Sequence, residues 1–236
     1  MSNESFSREI PLIGEEAFLR LSNARIILFG VGGVGGYILE ALVRAGVGTI
    51  TVVDNDTVST SNINRQILAT SKTVGMKKTD AAIERAKSIN PDITINAIEQ
   101  FYLPENADNI DLSKYDYVID AIDTLSAKIE LAKRAEADNI PFISCMGTAN
   151  KLDAVGFFVT DIYKTEGCPL ARAMRSASRK LGLNGFKVVY SPQKSENVVI
   201  ASENGRHVPA SISFVPPIAG FIAAGEVIKD LIKTVV

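Results

Sequence analysis

Arg25-Ile26-Ile27-Leu28-Phe29-Gly30-Val31-Gly32-Gly33-Val34-Gly35-Gly36-Tyr37-Ile38-Leu39 decides the fold. The apolar run after Arg25 does not alternate with polar residues, which is the pattern of a strand covered on both faces of a parallel sheet. Gly30, Gly32 and Gly35, with Gly33 between them, satisfy G-x-G-x-x-G at the passage from strand to helix. Glycine at such a turn lets backbone amides approach a phosphate at the positive end of the helix. A helix over residues 34–45 and a strand over residues 49–53 complete a right-handed βαβ unit. Asp54 ends the second strand, where an acid can bind ribose hydroxyls. Nucleotide binding is the expectation, against a tight turn without ligand, and fold frequency alone favours a nicotinamide or flavin enzyme.

The same alternation continues outward. A helix over residues 77–89 stops at Asn90-Pro91, and strands over 93–98, 115–119 and 142–145 follow, with a helix over 126–137 between the last two. These patterns predict an α/β fold: a Rossmann-like, doubly wound, mostly parallel sheet of five strands. Residues 1–24 read as a polar arm, free to reach a neighbour, that ends in a short amphipathic helix over 15–21. After Gly147 come short strands over 156–159, 187–190 and 198–200, predicted to form an antiparallel C-terminal extension, with a helix over 169–181. A last helix over 218–232 sets Glu226, Lys229, Asp230 and Lys233 on one side. No linker or repeat divides the chain. It is read as a single domain over 1–236, with a nucleotide-binding half at 25–147 and a substrate or dimer half at 148–236.

Composition limits the partners. Lys and Arg number 25 against 27 Asp and Glu, for a net charge of −2, which excludes a globally basic nucleic-acid coat. Cys145 and Cys168 are too few for a disulfide scaffold or a four-thiolate zinc site. Glu4, Arg8 and Glu9 argue against a secretory leader. The uncharged stretch 207–225 holds three prolines and two glycines, so no membrane span is expected and a cytoplasmic compartment is.

Three further segments fall on the carboxyl edge of the sheet with the glycine loop. They are Ser61-Asn62-Ile63-Asn64-Arg65-Gln66, Gly75-Met76-Lys77-Lys78 and Asp120-Ala121-Ile122-Asp123-Thr124. Each has a plainer reading: Lys77 and Lys78 as solvated charges, Arg65 as a surface partner of Asp56, Asp123 as a helix cap. Their joint occurrence, with no cysteine or histidine expected near the crevice, suits displacement at a phosphoryl centre. A substrate carboxylate attacks the α-phosphate of ATP, Arg65 and Lys78 neutralise growing charge, and Asp123 holds Mg²⁺ as pyrophosphate leaves. Hydride transfer gains little from such a cluster, and G-K-[ST] of the P-loop is missing.

At these residues the chain resembles the ThiF, MoeB and HesA superfamily, the E1-like activating enzymes. The resemblance rests on Gly30 to Gly35, Asp54-Asn55-Asp56, Ser61 to Gln66, Gly75 to Lys78 and Asp120 to Thr124, in order and at similar spacing. It implies that Gly33, Asp54, Ser61, Asn62, Ile63, Asn64, Arg65, Lys78, Asp123 and Thr124 line the ATP site, with Asp123 on the metal. It also implies that Arg8 enters a partner subunit's site in a homodimer. Members that activate a ubiquitin-like sulfur carrier typically carry two C-x-x-C pairs, and this chain has none. Asp161 to Thr165, Cys168 to Arg172, Lys187 to Ser191 and Ser213 to Pro217 are similar to the tRNA threonylcarbamoyladenosine dehydratase branch. That branch adenylates the threonyl carboxylate of a modified adenosine beside the anticodon, after which an internal nucleophile displaces AMP. Activation of a ubiquitin-like protein for sulfur transfer is the alternative, and a nicotinamide oxidoreductase or nucleotide-sensing module a third.

Residues 164–187 carry a net +5 although the whole chain is acidic. Lys164, Arg172, Arg175 and Arg179 form the candidate tRNA-binding face, the three arginines at helical spacing; a solvated helix face is the alternative. Cys168 before Pro169 and Cys145 at a strand end are assigned structural roles, and His207 a loop position after an Asn204-Gly205 hairpin turn.

Overall fold

The computed structural model describes residues 3–196, 198, 202–203, 206–207 and 209–233. Two helices, α1 (Ile10–Ile13) and α2 (Glu15–Asn23), precede β1 (Arg25–Phe29). Then follow α3 (Gly35–Arg44), β2 (Thr49–Val53), α4 (Lys78–Ile89), β3 (Thr94–Ile98), β4 (Tyr117–Asp120), α5 (Leu125–Ala137) and β5 (Phe142–Cys145). The C-terminal half holds β6 (Phe158–Asp161), α6 (Pro169–Leu181), β7 (Lys187–Tyr190), β8 (Ser202–Glu203), β9 (Arg206–His207) and α7 (Val215–Ile232).

The large sheet has the order β3-β2-β1-β4-β5-β7-β6. Its first five strands run parallel, and the order reverses between β1 and β4, where a doubly wound sheet opens a crevice at its carboxyl edge. Alternate residues of β1 feed opposite layers, as the period of two requires. Ile26 and Leu28 pack with α3, α4 and α7, whereas Ile27 and Phe29 pack with α5. Gly220 brings α7 close to α3, since a Cβ there would lie 2.6 Å from the Val34 carbonyl oxygen.

The C-terminal half differs from the sequence reading in several respects. Strand β7 pairs parallel with β5, so it extends the parallel sheet, and only the β6–β7 pair within the large sheet is antiparallel. Helix α6 supplies the crossover that a parallel connection needs. The strand expected over 198–200 lies mostly outside the described residues, as does the Asn204-Gly205 turn, although the flanking strands β8 and β9 pair antiparallel. His207 lies in β9 rather than in a loop.

The N-terminal arm is also ordered against its own domain, contrary to the reading of a free polar arm. Residues 3–6 form a 3-10 turn, and Phe6 is buried with its ring 4.8 Å from that of Phe18. Both rings abut Gly46, just past the C-terminal end of α3. No helix among the described residues is long and apolar enough to cross a membrane.

Candidate active site

A cavity of about 530 Å³ opens at the topological switch point. Gly30, Gly32 and Gly33 line it from the turn between β1 and α3. Gly30 has φ of +85°, and a Cβ there would stand 2.9 Å from the Ala121 carbonyl oxygen. Gly35 does not line the cavity; its Cβ would overlap the Gly30 carbonyl, so it serves close packing of helix on strand. Asp54 fastens the turn: one carboxylate oxygen accepts from Val31 N at 2.9 Å and the other from Asp56 N at 2.9 Å. Each oxygen keeps lone-pair capacity for a ribose hydroxyl.

Arg65 and Lys78 both face this cavity. The Arg65 stem lies against Gly33, whose Cβ would sit 3.5 Å from Arg65 Cγ. Its guanidinium donates to the Ser61 carbonyl at 3.0 Å and to Asn64 Oδ1 at 2.9 Å. Lys78 begins α4, with its residue only 6% exposed, and its Nζ meets Asp56 Oδ2 at 2.6 Å. The plainer reading of Arg65 as a surface partner of Asp56 does not hold, because Asp56 takes Lys78. Lys77 turns outward onto Glu99.

Asp56, Asn62, Asp123 and Thr124 also line the cavity. Ser61, Ile63 and Asn64 do not, although they were expected to; Ser61 and Asn64 orient Arg65, Asn64 also holds the Ser211 carbonyl at 3.0 Å, and Ile63 is exposed. Asp123 is exposed and has no hydrogen-bond or ion-pair partner among the described residues. Nor does it cap α5, whose N-cap is Thr124. A free carboxylate in a phosphate site fits Mg²⁺, which takes one or two carboxylates with the remaining positions filled by phosphate and water. Arg8 is exposed on the arm and does not line its own subunit's cavity.

Sequence reasoning missed several lining residues. Gln100 and Phe101 follow β3, and Gly147, Thr148 and Ala149 follow β5. The carboxyl-edge rule that picked out Asp54 and Asp123 applies to those loops equally. Pro209, Ser211 and Pro216 arrive from the C-terminal return and carry no local signal. Cys145 also lines the cavity, contrary to the expectation of no cysteine nearby. Burial pushes its thiol up to about 12, which disfavours the thiolate that a nucleophile needs. Cys168 is buried at the start of α6.

The basic face is smaller than expected. Arg175 is committed to Thr165, donating to its carbonyl and hydroxyl at 2.6 Å each. Lys187 is bound by Glu226 and Asp230 of α7. Lys164, Arg172, Arg179 and Lys180 remain exposed, with Arg179 resting 5.5 Å over the Tyr163 ring. Leu170, in the first turn of the same helix, lines the cavity, so the charged face begins at its rim.

A doubly wound domain that points a guanidinium, an ammonium and a free carboxylate at a glycine-loop phosphate site defines a class, the nucleotide-dependent activating enzymes. Within it, the chain belongs to the ThiF family, whose profile matches residues 6–235. It is 39% identical to the tRNA threonylcarbamoyladenosine dehydratase of Bacillus subtilis (strain 168) over 244 residues, 98% of this chain and 95% of that protein. The crystal structure of the E. coli tRNA N6-threonylcarbamoyladenosine dehydratase in complex with ATP superposes with a TM-score of 0.87 at 30% identity, covering 97% of this chain and 94% of that one. An adenylyltransferase and sulfurtransferase of Pyricularia oryzae is 40% identical, but across only 51% of this chain and 25% of that protein.

Proposed function

We propose that this chain is an ATP-dependent tRNA threonylcarbamoyladenosine dehydratase. The observation that carries the chemistry is the meeting of Arg65, Lys78 and Asp123 with the glycine turn in one cavity. The Bacillus subtilis dehydratase matches nearly end to end, which favours this substrate over a ubiquitin-like protein.

Amides at the N-terminus of α3 receive phosphate oxygens, and Asp54 takes the ribose. Arg65 and Lys78 neutralise charge that grows on the α-phosphoryl group as the threonyl carboxylate attacks phosphorus and pyrophosphate leaves. Asp123 would hold Mg²⁺, whose charge would stabilise the departing pyrophosphate. An internal nucleophile of the substrate then attacks the activated carbonyl and AMP departs, so the nucleoside loses the elements of water. Lys164, Arg172, Arg179 and Lys180 lead phosphates of the RNA toward the cavity rim.

The reading includes a homodimer in which Arg8 acts in the partner's site. Phe214, Ile218 and Phe221 form an exposed apolar stripe on α7, and Pro216 of the same helix lines the cavity, so a subunit covering the stripe stands next to the site. A cytoplasmic setting follows from the substrates, ATP and tRNA, and both cysteines are free.

Exchange of radiolabelled pyrophosphate into ATP tests the reading. Label should enter ATP when tRNA bearing threonylcarbamoyladenosine is added, and not with unmodified tRNA or a protein ending in Gly-Gly. Exchange driven by the Gly-Gly protein alone would overturn the assignment.

A further inference from the structure

Lys128 and Asp120 form a fully buried ion pair behind the cavity, with side chains 0% exposed and Nζ 2.8 Å from Oδ2. The lysine head also donates to two backbone carbonyls, Ile122 at 3.0 Å and Cys145 at 2.8 Å. Its three N–H donors are thus matched by three acceptors. Asp120 accepts further from Ser144 Oγ at 2.5 Å and from Ile122 N at 3.2 Å. The Lys128, Asp120 and Ser144 side chains at the centre of the network are all fully buried.

Its position gives it a use. Strands β4 and β5 pair in parallel up to Asp120 opposite Ser144, and there the ladder ends. Beyond that point one segment runs on to Asp123 and the other to Gly147, and both residues line the cavity. Ile122 and Cys145, whose carbonyls the ammonium grips, both line the cavity. The lysine continues the link between the strands where their own hydrogen bonds stop. Its backbone N–H meanwhile donates to the Thr124 carbonyl at 3.1 Å. That bond is the first i→i−4 bond of α5 and does not depend on the side chain; the ammonium itself holds Ile122, the residue before Asp123, a carboxylate with no bond of its own among the described residues.

We propose that Lys128 is a positioning residue for the adenylation step, fixing the loop that carries Asp123 against the loop that follows β5. A buried ion pair is weak as a source of stability, since apolar side chains of similar volume often replace it without loss. Fixed geometry is different: a displacement of about 1 Å at a reacting centre can cost about 100-fold in rate. The proposal rests on the adenylation reading above.

Two variants test it, Lys128→Met and the double variant Lys128→Met with Asp120→Asn, the second leaving no unpaired buried charge. The double variant should melt close to the wild-type temperature. Its kcat for tRNA-dependent pyrophosphate exchange should fall about 100-fold, with KM for ATP changed less than about threefold. Independently of activity, amide hydrogen exchange over residues 121–125 should accelerate while the sheet core stays protected. A folded double variant with wild-type kcat, or with unchanged amide exchange over that loop, overturns the proposal. Failure of both variants to fold overturns it as well, leaving Lys128 a purely structural lysine. A wild-type enzyme inert toward modified tRNA would sink the adenylation reading instead, and the amide exchange would still report on the clamp.

Discussion

Lys78 is a cation in the first turn of a helix, where the dipole disfavours positive charge. The cost is offset by Asp56, which receives its ammonium at 2.6 Å and, through its carbonyl, its backbone N–H at 2.9 Å. This arrangement holds the charge at the cavity and leaves it little freedom to turn away. Lys78→Ala should therefore lower kcat for pyrophosphate exchange by about 100- to 1,000-fold, the usual effect of removing one preorganised donor to a transition-state oxyanion. ATP affinity, read by calorimetric titration, should weaken far less, because glycine-turn amides and Asp54 hold the rest of the nucleotide. Equal losses in affinity and rate would assign the lysine to ground-state binding. Residue types and spacing made Lys78, Arg65 and Asp123 legible in the sequence. The ion pair of Asp56 with Lys78 was not, because Asp56 could equally face Arg65 until the loop was folded.

Among the elements, the inner strands were read most closely, since β1 after Arg25 is a continuous apolar run and β2 and β5 interrupt theirs only with Thr or Ser, as a doubly covered parallel sheet allows. The edge strand β6 was misplaced by two residues because no residue of it is fully buried, so its pattern carries no core signal. The direction of β7 depends on the path of α6 over the sheet, which no local pattern encodes. The charges of α6 divide by role once packing is known. Arg172→Ala with Lys180→Ala should weaken tRNA binding and flatten its salt dependence by about two units of slope, with melting temperature and ATP affinity unchanged. Arg175→Ala should instead lower the melting temperature, because Thr165 loses its anchor. An unchanged salt slope in filter binding would remove α6 from the RNA path. Helix α7 makes a prediction about acid. Hydrogen bonds from Lys187 and then Lys229 hold the Glu226 carboxyl at about 2, below the usual 4.5. The unfolded chain takes up this proton near 4.5 and the folded one does not, so the contribution is complete above 4.5 and is lost as pH falls toward about 2. Glu226→Gln should flatten the melting temperature over that window relative to wild type. Parallel acid limbs in the two proteins would show that the staple carries no pH dependence.

At the scale of the whole molecule, the proposed role of Arg8 meets a constraint of distance. Phe6 anchors the arm at Gly46, beyond the C-terminus of α3, while the glycine turn lies at the N-terminus of that helix. Ten residues of helix separate the two points, about 15 Å along the axis, so Arg8 stands at the wrong end of its own subunit. Its assignment to catalysis therefore requires a second copy, and in a C2 dimer two such arms are exchanged symmetrically. Complementation is the measurement that decides. Arg8→Ala and Arg65→Ala homodimers should each be nearly inactive in tRNA-dependent pyrophosphate exchange. After subunits are mixed in equal amounts and allowed to re-equilibrate, half the dimers contain one of each. Every such dimer has one site in which an intact Arg65 meets an intact Arg8 and one in which both are missing. The mixture should recover about a quarter of wild-type activity. A mixture as inactive as its parents, despite verified subunit exchange, would place Arg8 outside the chemistry, and a monomer in sedimentation at assay concentration would do the same.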